Sequence, residues 1–279
     1  MSGTQYVTPE LQRWLREQLV AGQSTVDLVK SMVTAGWQQK VALDAVAKAK
    51  LDGWFKKEEA TPGVPEPDLR SGACVVDAGD RLVNVLTTVQ LPRVVVFGNL
   101  LSDDECQAII DAARPRMERS ETVAEAKEGS EVNMARTSRG MFFERGEHPV
   151  VARVEARIAK LLNWPLENGE GMQVLHYQPG AEYQPHYDYF DARHASTPSI
   201  LKRGGQRLGT LVMYLNTPVR GGATTFPDIK MAVQPIRGQA VFFSYDKPEP
   251  STLTLHGGAP VLEGEKWVAT KWLRQGKFE

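Results

Sequence analysis

Two side chains that commonly bind metals stand two positions apart in the middle of the chain. His186 and Asp188 lie in the segment Tyr177-Gln-Pro-Gly-Ala-Glu-Tyr-Gln-Pro-His-Tyr-Asp. Residues i and i+2 of an extended chain point to the same face. An imidazole and a carboxylate at this spacing can therefore hold one ion between them. On its own, however, His-x-Asp is a short pattern that often arises by chance.

A third metal ligand must come from a distant part of the chain. The C-terminal quarter supplies a candidate in His256, within Leu253-Thr-Leu-His-Gly-Gly. Two imidazoles and one carboxylate on one side of a metal leave other coordination positions open. That arrangement is typical of non-heme Fe(II) oxygenases.

The bulk composition is that of an ordinary globular protein. The chain has 279 residues, of which 42% are hydrophobic and 24% charged, and its formal net charge is -1. This balance gives no electrostatic reason to expect nucleic acid or an anionic membrane as a partner. No apolar run approaches the roughly 20 residues that span a bilayer, and the first residues lack the features of a secretory signal. Two cysteines in unrelated contexts, Cys74 and Cys106, favour a cytoplasmic location.

Residues 1–57 are predicted to form a small helical domain. Thr8-Pro9-Glu10 provides a cap, a proline at the first helical position and an acid in the first turn. Ser24-Thr-Val-Asp27 is a capping-box-like start, and a third helix is expected from about Gln38. Such a bundle is either an accessory packing domain or a module that contacts a protein partner or substrate. Residues 58–72 contain three closely spaced prolines and are predicted to be a linker.

From residue 73 to residue 279 the pattern is mainly that of short β-strands. Helices are expected after Ser102-Asp-Asp-Glu105 and after Pro149, with a mobile polar loop over 122–139 between them. Strands are expected over 73–76, 81–89, 93–97, 172–178, 207–216, 231–235, 239–245, 253–256 and 266–274. Many short strands with Gly and Pro turns favour a sandwich or barrel, of which the jelly roll is one form. Lys266 is then expected on the return strand of a hairpin after His256, deeper in the barrel than the metal.

Several demanding motifs follow one another in a fixed order. They are Tyr177-x-x-Gly-x-x-Tyr183-x-x-His186-x-Asp188, then Gly221-Gly-x-Thr224-x-Phe226-Pro227, and finally His256-x-Gly-x-Pro-Val followed by Lys266-Trp267. Together they resemble the prolyl 4-hydroxylase group of the 2-oxoglutarate and Fe(II)-dependent dioxygenases. Arg136-Thr-Ser138 is similar to the family's Arg-x-Ser on a loop that covers the substrate. The resemblance spans about residues 93 to 275 and leaves the N-terminal helical residues outside it.

The resemblance implies a fold and a set of site residues. The fold is α+β, with a double-stranded β-helix (jelly-roll, cupin-like) core and supporting helices, preceded by the small helical domain. The catalytic set consists of His186, Asp188 and His256, which would hold Fe(II), together with Lys266. Lys266 would bind the far carboxylate of 2-oxoglutarate, with Tyr177 and Thr224 as hydrogen-bond donors. The candidates for the substrate side are Arg136, Ser138, Tyr183, Arg207 and Trp272.

The implied reaction hydroxylates C4 of a prolyl residue in a peptide or protein. It consumes O2 and 2-oxoglutarate and releases succinate and CO2, with ascorbate as reductant. One alternative is the same chemistry on a free amino acid or another small metabolite. A second is a non-catalytic binding protein with a cupin-like barrel, and the complete set of three ligands plus Lys266 argues against it. Residues 191–205 are where substrate specificity could diverge.

Overall fold

The computed structural model describes residues 5–54, 63–69, 72–119, 122–123, 130–131 and 137–279. These residues belong to two compact units, one comprising Met1–Ala60 with Leu69–Ala73 and the other Thr61–Asp68 with Cys74–Glu279. The first unit contains three helices, and the second contains the strands and three further helices. Within the ranges described, no helix combines the length and apolar character needed to cross a membrane.

The first unit is a bundle of three helices, α1 (Pro9–Val20), α2 (Thr25–Thr34) and α3 (Gln39–Trp54). Thr8 caps α1 by accepting a hydrogen bond from the backbone N–H of Leu11, and Ser24 caps α2 in the same way through Asp27. The helix starts predicted from the sequence are therefore confirmed. Apolar residues at helical spacing meet in one small core: Leu15, Leu28, Met32, Ala42, Ala45, Val46 and Ala49.

The second unit carries helices α4 (Asp103–Ala113), α5 (Pro149–Leu161) and α6 (Thr197–Leu201). Its strands are β1 (Val75–Asp77), β2 (Leu82–Val89), β3 (Arg93–Gly98), β4 (Glu118–Arg119), β5 (Thr122–Val123), β6 (Ser130–Glu131), β7 (Arg139–Phe143), β8 (Met172–Tyr177), β9 (Tyr183–His186), β10 (Arg207–Tyr214), β11 (Arg220–Gly221), β12 (Thr224–Phe226), β13 (Met231–Val233), β14 (Ala240–Ser244), β15 (His256–Gly258), β16 (Val261–Glu263) and β17 (Lys266–Arg274).

Two antiparallel sheets form the jelly roll. The larger sheet has nine strands in the order β1-β2-β3-β14-β10-β17-β8-β7-β4, and the smaller has four in the order β13-β12-β15-β9. Their facing side chains share one apolar cluster, in which Phe226 of the small sheet packs edge-on against Phe243 of the large one at 5.3 Å. The predicted double-stranded β-helix with supporting helices is confirmed. Its interior is where the candidate site lies.

Helices α4 and α5 cover the outer face of the large sheet. The predicted capping box at the start of α4 is present, with Ser102 and Glu105 bonding to each other's backbone N–H groups. Lys271 of β17 pairs with Glu155 of α5 at 2.5 Å, and both side chains are buried. Arg157 of α5 also pairs with Glu105 at 2.7 Å. These contacts hold the helices against the back of the sheet and leave its inner face to the site.

Part of the predicted linker belongs to the second unit. The backbone N–H of Glu66 donates to Leu162 O at 2.9 Å, and its carbonyl accepts from Asn163 Nδ2 at 3.0 Å. Glu66 also forms an ion pair with Arg93. No helix or strand occurs over residues 63–69, as the prolines predicted. Residues 58–62 and 70–71 of the predicted linker lie outside the described residues, as does most of the predicted loop at 122–139.

The strand predicted over 253–256 is wrong in its position. β15 begins at His256, after a 3₁₀ turn over Pro250–Thr252 and a left-handed residue, Leu253, with φ 54°. The hydroxyls of Thr252 and Thr254 hydrogen-bond to each other at 2.9 Å inside this turn. Alternating Leu and Thr is typical of a strand, but here the hydroxyl pair stabilises a turn instead.

Candidate active site

The three predicted metal ligands converge on the small sheet. His186 ends β9 and His256 begins β15, and the two residues are paired directly across the strands. His186 Nε2 lies 3.6 Å from Asp188 Oδ1, and His256 Nε2 lies 3.4 Å from Asp188 Oδ2. One ligand atom from each residue lies within 4.8 Å of the others. A single metal ion can therefore contact all three side chains.

A backbone carbonyl two residues earlier orients each imidazole. His186 Nδ1 lies 2.9 Å from Gln184 O, and His256 Nδ1 lies 3.0 Å from Thr254 O. Because a carbonyl oxygen only accepts hydrogen bonds, Nδ1 carries the proton in both neutral rings. Nε2 then presents its lone pair toward Asp188, as a metal-binding histidine requires.

The charges at the triad suit a divalent metal. Burial, with the nearby His186, lowers the pKa of His256 to about 4, so this imidazole is neutral at pH 7. Burial also opposes ionisation of Asp188, but the hydrogen-bonding and charged neighbours of the carboxylate, Arg207 among them, outweigh it and hold the pKa of the carboxyl well below its usual range. Two neutral nitrogens and one carboxylate oxygen fit Fe(II). In the part of the chain that the structure describes, no other group of three or more such side chains could hold a metal.

Asp188 is fixed from the large sheet. Thr210 Oγ1 donates to Asp188 Oδ2 at 2.8 Å and also lies 2.9 Å from the hydroxyl of Tyr245. Arg207 Nη1 donates to the backbone carbonyl of Asp188 at 3.4 Å. The amide of Gln206 bonds both backbone groups of Phe190, at 2.8 and 2.9 Å. The first residues of β10 therefore set the position of the carboxylate.

Lys266 is a buried cation inside the jelly roll. It is 4% exposed and pairs in register with Tyr177, and its Nζ lies 5.3 Å from the Tyr177 ring. Burial lowers the pKa of Lys266 to about 8. Its ammonium has no ion-pair or hydrogen-bond partner among residues 5–54, 63–69, 72–119 and 137–279. A buried ammonium without an anion is costly, so the position suits a ligand carboxylate.

Hydroxyl groups stand close to this cation. Thr224 Oγ1 accepts a hydrogen bond of 2.9 Å from the buried hydroxyl of Tyr214, whose ring lies 6.0 Å from Lys266 Nζ. The proton of Thr224 is therefore available for a ligand. Gly222 has φ 75°, and a Cβ there would lie 3.1 Å from Lys266 Cδ. The glycine leaves room that the lysine chain fills.

The hairpin predicted to carry Lys266 is wrong. β15, which holds His256, pairs with β9 and β12, whereas β17, which begins at Lys266, pairs with β8 and β10 of the other sheet. The chain crosses between the sheets through β16, which pairs with β11. Metal ligands and lysine therefore face the interior from opposite sheets. Sequence spacing alone could not distinguish this crossing from a hairpin.

Of the predicted substrate-side residues, Tyr183 lies beside the triad on the small-sheet side, and Ser138 follows a residue that bonds to Glu182, just before β9. The Tyr183 ring stacks on His186 with centroids 3.8 Å apart. Thr137 bonds to the backbone of Glu182 twice: its N–H donates to Glu182 O at 3.2 Å, and its side-chain Oγ1 accepts from Glu182 N at 2.9 Å. This contact places the buried Ser138 near the start of β9. Arg136 lies outside the described residues.

The other two predicted substrate-side residues form a stacked pair on the large sheet. The Arg207 guanidinium lies 4.0 Å from the Trp272 ring centroid, and it is ion-paired with Glu170 at 2.6 Å. Trp272 Nε1 is buried and has no hydrogen-bond partner among the described residues. Because Arg207 also donates to the backbone carbonyl of Asp188, this stacked pair adjoins the triad.

Several residues of the site escaped the sequence analysis. Glu170, Gln206, Thr210, Tyr214 and Tyr245 act through contacts with residues 10 to 37 positions away. The available signal was strand alternation: Thr210, Val212 and Tyr214 of β10 share one face. That face is the one that meets Asp188 and Thr224.

Comparison with known proteins identifies similar sequences and similar solved structures. Residues 172–274 match the 2OG-Fe(II) oxygenase superfamily. Prolyl 4-hydroxylase 5 of Arabidopsis thaliana is 39% identical over 222 residues, covering 72% of this chain and 74% of that protein. Prolyl 4-hydroxylase 2 of the same plant is 33% identical, covering 76% of this chain and 78% of that one.

A solved structure extends the similarity to three dimensions. The viral collagen prolyl hydroxylase of Paramecium Bursaria Chlorella virus-1, solved as a 2OG complex, is 32% identical to this chain. It matches with a TM-score of 0.51, over 65% of this chain and 95% of the viral one.

Proposed function

Because the chain belongs to the 2OG-Fe(II) oxygenase superfamily, and within it to the prolyl 4-hydroxylase group, we propose that it hydroxylates C4 of prolyl residues in a peptide or protein. One arrangement carries the proposal. Two imidazoles and a carboxylate meet at the small sheet, and the buried Lys266 ammonium, which has no ionic or hydrogen-bond partner among the described residues, faces the same interior from the large sheet. The triad suits iron and the ammonium suits a dicarboxylate co-substrate.

His186, Asp188 and His256 are the proposed Fe(II) ligands. When bound, the iron with 2-oxoglutarate and O2 supplies the oxidation that inserts one oxygen atom into a C–H bond, with release of succinate and CO2. The two Nδ1–H groups bonded to backbone carbonyls keep both Nε2 lone pairs directed at the metal position. Thr210 holds the carboxylate oxygen of Asp188 that faces it. The ligands are thus oriented by their own surroundings.

Lys266, Thr224 and Tyr177 are the proposed anchors of the far carboxylate of 2-oxoglutarate. An ammonium and hydroxyl donors directed at one carboxylate form charge-assisted hydrogen bonds. Their burial excludes water, which strengthens each of those bonds and orients the co-substrate. Tyr214 fixes the Thr224 hydroxyl from behind.

The substrate-side roles are proposed for Arg136, Ser138, Tyr183, Arg207 and Trp272. Tyr183 lies against His186, and its half-buried ring can line the entrance through which a prolyl ring reaches the metal. Trp272 Nε1, which lacks a hydrogen-bond partner within the described part of the chain, and the remaining donors of Arg207 suit backbone carbonyls of an extended peptide. The names of the relatives, prolyl 4-hydroxylases and a collagen prolyl hydroxylase, support a peptidyl substrate.

Three further assignments accompany this function. Ascorbate is the proposed reductant that keeps the iron divalent between turnovers. The location is cytoplasmic, in keeping with two free cysteines, of which Cys106 is buried and Cys74 exposed. The helical unit is the proposed contact for a protein partner, and its exposed apolar side chains Val20 and Val26 would take part.

Mass spectrometry tests the proposal. The protein is loaded anaerobically with Fe(II), supplied with 2-oxoglutarate and ascorbate, and exposed to ¹⁸O₂ with either a proline-rich peptide or free proline. We expect one ¹⁸O per modified residue in the peptide, and 4-hydroxyproline after hydrolysis of the product. A gain of oxygen on free proline alone would contradict the peptide assignment. Absence of iron binding would instead support the non-catalytic alternative.

A further inference from the structure

Six side chains form an alternating column of guanidinium groups and aromatic rings beside the triad. Arg207 lies 4.7 Å from the Phe190 ring centroid on one side and 4.0 Å from that of Trp272 on the other. Arg274 lies 4.8 Å from Phe190 and 5.4 Å from Phe278. Arg203 completes the series at 4.5 Å from Phe278. The arginine–aromatic column consists, in order, of Trp272, Arg207, Phe190, Arg274, Phe278 and Arg203.

The inner end of the column reaches a proposed metal ligand. Arg207 Nη1 donates to the carbonyl of Asp188, and Phe190 follows Asp188 by two residues. The side chain of Gln206 bonds both backbone groups of Phe190. A displacement of the Phe190 ring therefore acts on the segment that carries Asp188 and on the guanidinium stacked against Trp272.

The outer end of the column holds the 191–205 segment. Arg274 Nη2 donates to Ile200 O at 2.8 Å, and Arg274 Nε donates to Arg203 O at 3.1 Å. Phe278 lies between Arg274 and Arg203, and its own backbone is fixed, since its carbonyl accepts from Arg145 Nη1 at 2.9 Å. Its side chain is only partly buried. Phe278 is thus the outermost aromatic ring of the column, and it separates the guanidinium groups of Arg274 and Arg203.

The positive charge of the column explains why its aromatic rings are stabilising. The column has three guanidinium groups. Among the described side chains one carboxylate, Glu170, pairs with them, at 2.6 Å from Arg207 and 3.4 Å from Arg274, while Arg203 Nε donates to the backbone oxygen of Glu279 at 2.7 Å. Burial lowers the pKa of Arg274 to about 10, so the group is still charged at pH 7. The faces of Phe190 and Phe278 carry the negative part of the ring quadrupole and stabilise this surplus positive charge.

We propose that Phe278 is a positioning residue for the substrate side of the active site. By stacking on Arg274 it keeps the carbonyls of Ile200 and Arg203 bound and the 191–205 segment closed against the barrel. It also keeps Phe190 pressed on Arg207, which orients the guanidinium beside Trp272. The kinetic consequence rests on the proposed function, whereas the structural consequence does not.

Hydrogen–deuterium exchange of the metal-free protein tests the structural part. Phe278→Ala should speed exchange of the peptides covering 196–205 by about threefold to thirtyfold, the range of one partly exposed to buried cation–π contact. Phe278→Tyr should restore the wild-type exchange, and Phe278→Leu, which keeps apolar bulk without the quadrupole, should not. Phe142→Ala is the matched control, because Phe142 is 51% exposed and lies outside the column.

Steady-state kinetics tests the functional part with the same four variants. In Phe278→Ala and Phe278→Leu the KM for the peptide should rise by about threefold to thirtyfold, with the KM for 2-oxoglutarate within about twofold of the wild-type value. The succinate formed per hydroxyproline should also rise, because a loosely held substrate uncouples the reaction. Phe278→Tyr and Phe142→Ala should match the wild type in both quantities.

Different results would contradict the structural part and the functional part of this proposal. Unchanged exchange over 196–205 in Phe278→Ala, or equal exchange in the Leu and Tyr variants, would show that the column does not hold the segment. Unchanged peptide KM in an active enzyme would remove the positioning role. If the wild type hydroxylates no peptide at all, the proposed function fails while the exchange data still decide the structural question.

Discussion

Replacing Lys266 with methionine should stabilise the fold while abolishing 2-oxoglutarate binding. The pKa of Lys266 falls from 10.5 to about 8 on burial, and at about 1.36 kcal/mol per pKa unit this corresponds to about 3 kcal/mol against the charged form. The contact of Nζ with the Tyr177 ring returns roughly 0.5 to 2 kcal/mol of that cost. Methionine has a similar length and no charge to desolvate. We expect the free energy of unfolding at pH 7 to rise by about 1 to 3 kcal/mol.

The pH dependence of this gain has a definite sign. Below about pH 8 the lysine is charged in both the folded and the unfolded protein, so the folded state carries the full cost. Between about pH 8 and the unfolded value of 10.5, the folded protein has released the proton and the unfolded chain still binds it. The stability of the wild type therefore rises with pH in that window. The advantage of Lys266→Met should shrink over the same range.

Urea denaturation of the metal-free proteins at pH 7 and pH 9.5 measures the stability difference. Anaerobic titration of the Fe(II) protein with 2-oxoglutarate measures affinity, which should fall at least about a hundredfold because the ligand carboxylate loses its buried partner. Lys271→Met is the control, since Lys271 lies on the same strand but pairs with buried Glu155. It should lose about 3 to 5 kcal/mol of stability and bind 2-oxoglutarate normally. A Lys266→Met protein that is less stable than the wild type, or that binds 2-oxoglutarate as tightly, would refute the reasoning.

Three further predictions follow from the same geometry. Asp188→Ala should lose stoichiometric Fe(II) binding and coupled turnover, whereas Asp246→Ala, at an exposed carboxylate, should keep both; iron-dependent succinate formation at the normal rate in Asp188→Ala would disprove the ligand assignment. The affinity for 2-oxoglutarate should fall about tenfold per pH unit above pH 8, because Lys266 must regain a proton to pair with the ligand; calorimetry in two buffers at pH 9 should detect about one proton taken up, and no uptake would contradict this. Tyr214→Phe removes the donor to Thr224 and should weaken 2-oxoglutarate binding by about threefold to tenfold without changing iron content. If Thr224→Val weakens this binding equally in the wild type and in the Tyr214→Phe variant, the two hydroxyls act independently.

The sequence predicted the parts of the site that are local. His186 and Asp188 share one short segment, and the helix caps at Thr8, Ser24 and Ser102 need only residues within three positions. Local chemistry of this kind leaves a pattern in the order of residues. Helices α1 to α5 and the longer strands β2, β8, β10 and β17 were predictable for the same reason, whereas α6 and several shorter strands, among them β4, β7 and β16, were not predicted.

Contacts between distant residues left no such pattern. The ion pair of Arg207 with Glu170 spans 37 positions, and the buried pair of Lys271 with Glu155 spans 116. The position of Lys266 on the opposite sheet from His256 depended on a crossing that spacing cannot reveal. Leu253 was assigned to a strand because alternation does not detect a left-handed turn. In each case the decisive interaction joins residues that only the folded chain brings together.

The carbonyl acceptors behind His186 and His256 limit how this centre can change during evolution. Each acceptor is the backbone oxygen of a residue two positions before the ligand, Gln184 or Thr254. A point mutation at either position replaces a side chain and leaves that oxygen in place. In many metal sites the group behind a histidine is a carboxylate, and its exchange for an amide tunes the metal. Here the group behind each histidine is a backbone carbonyl, which substitution cannot exchange. Changes in redox behaviour must therefore arise through Asp188 and the residues around it. Substitutions at Gln184 and Thr254 leave the imidazole tautomers unaffected.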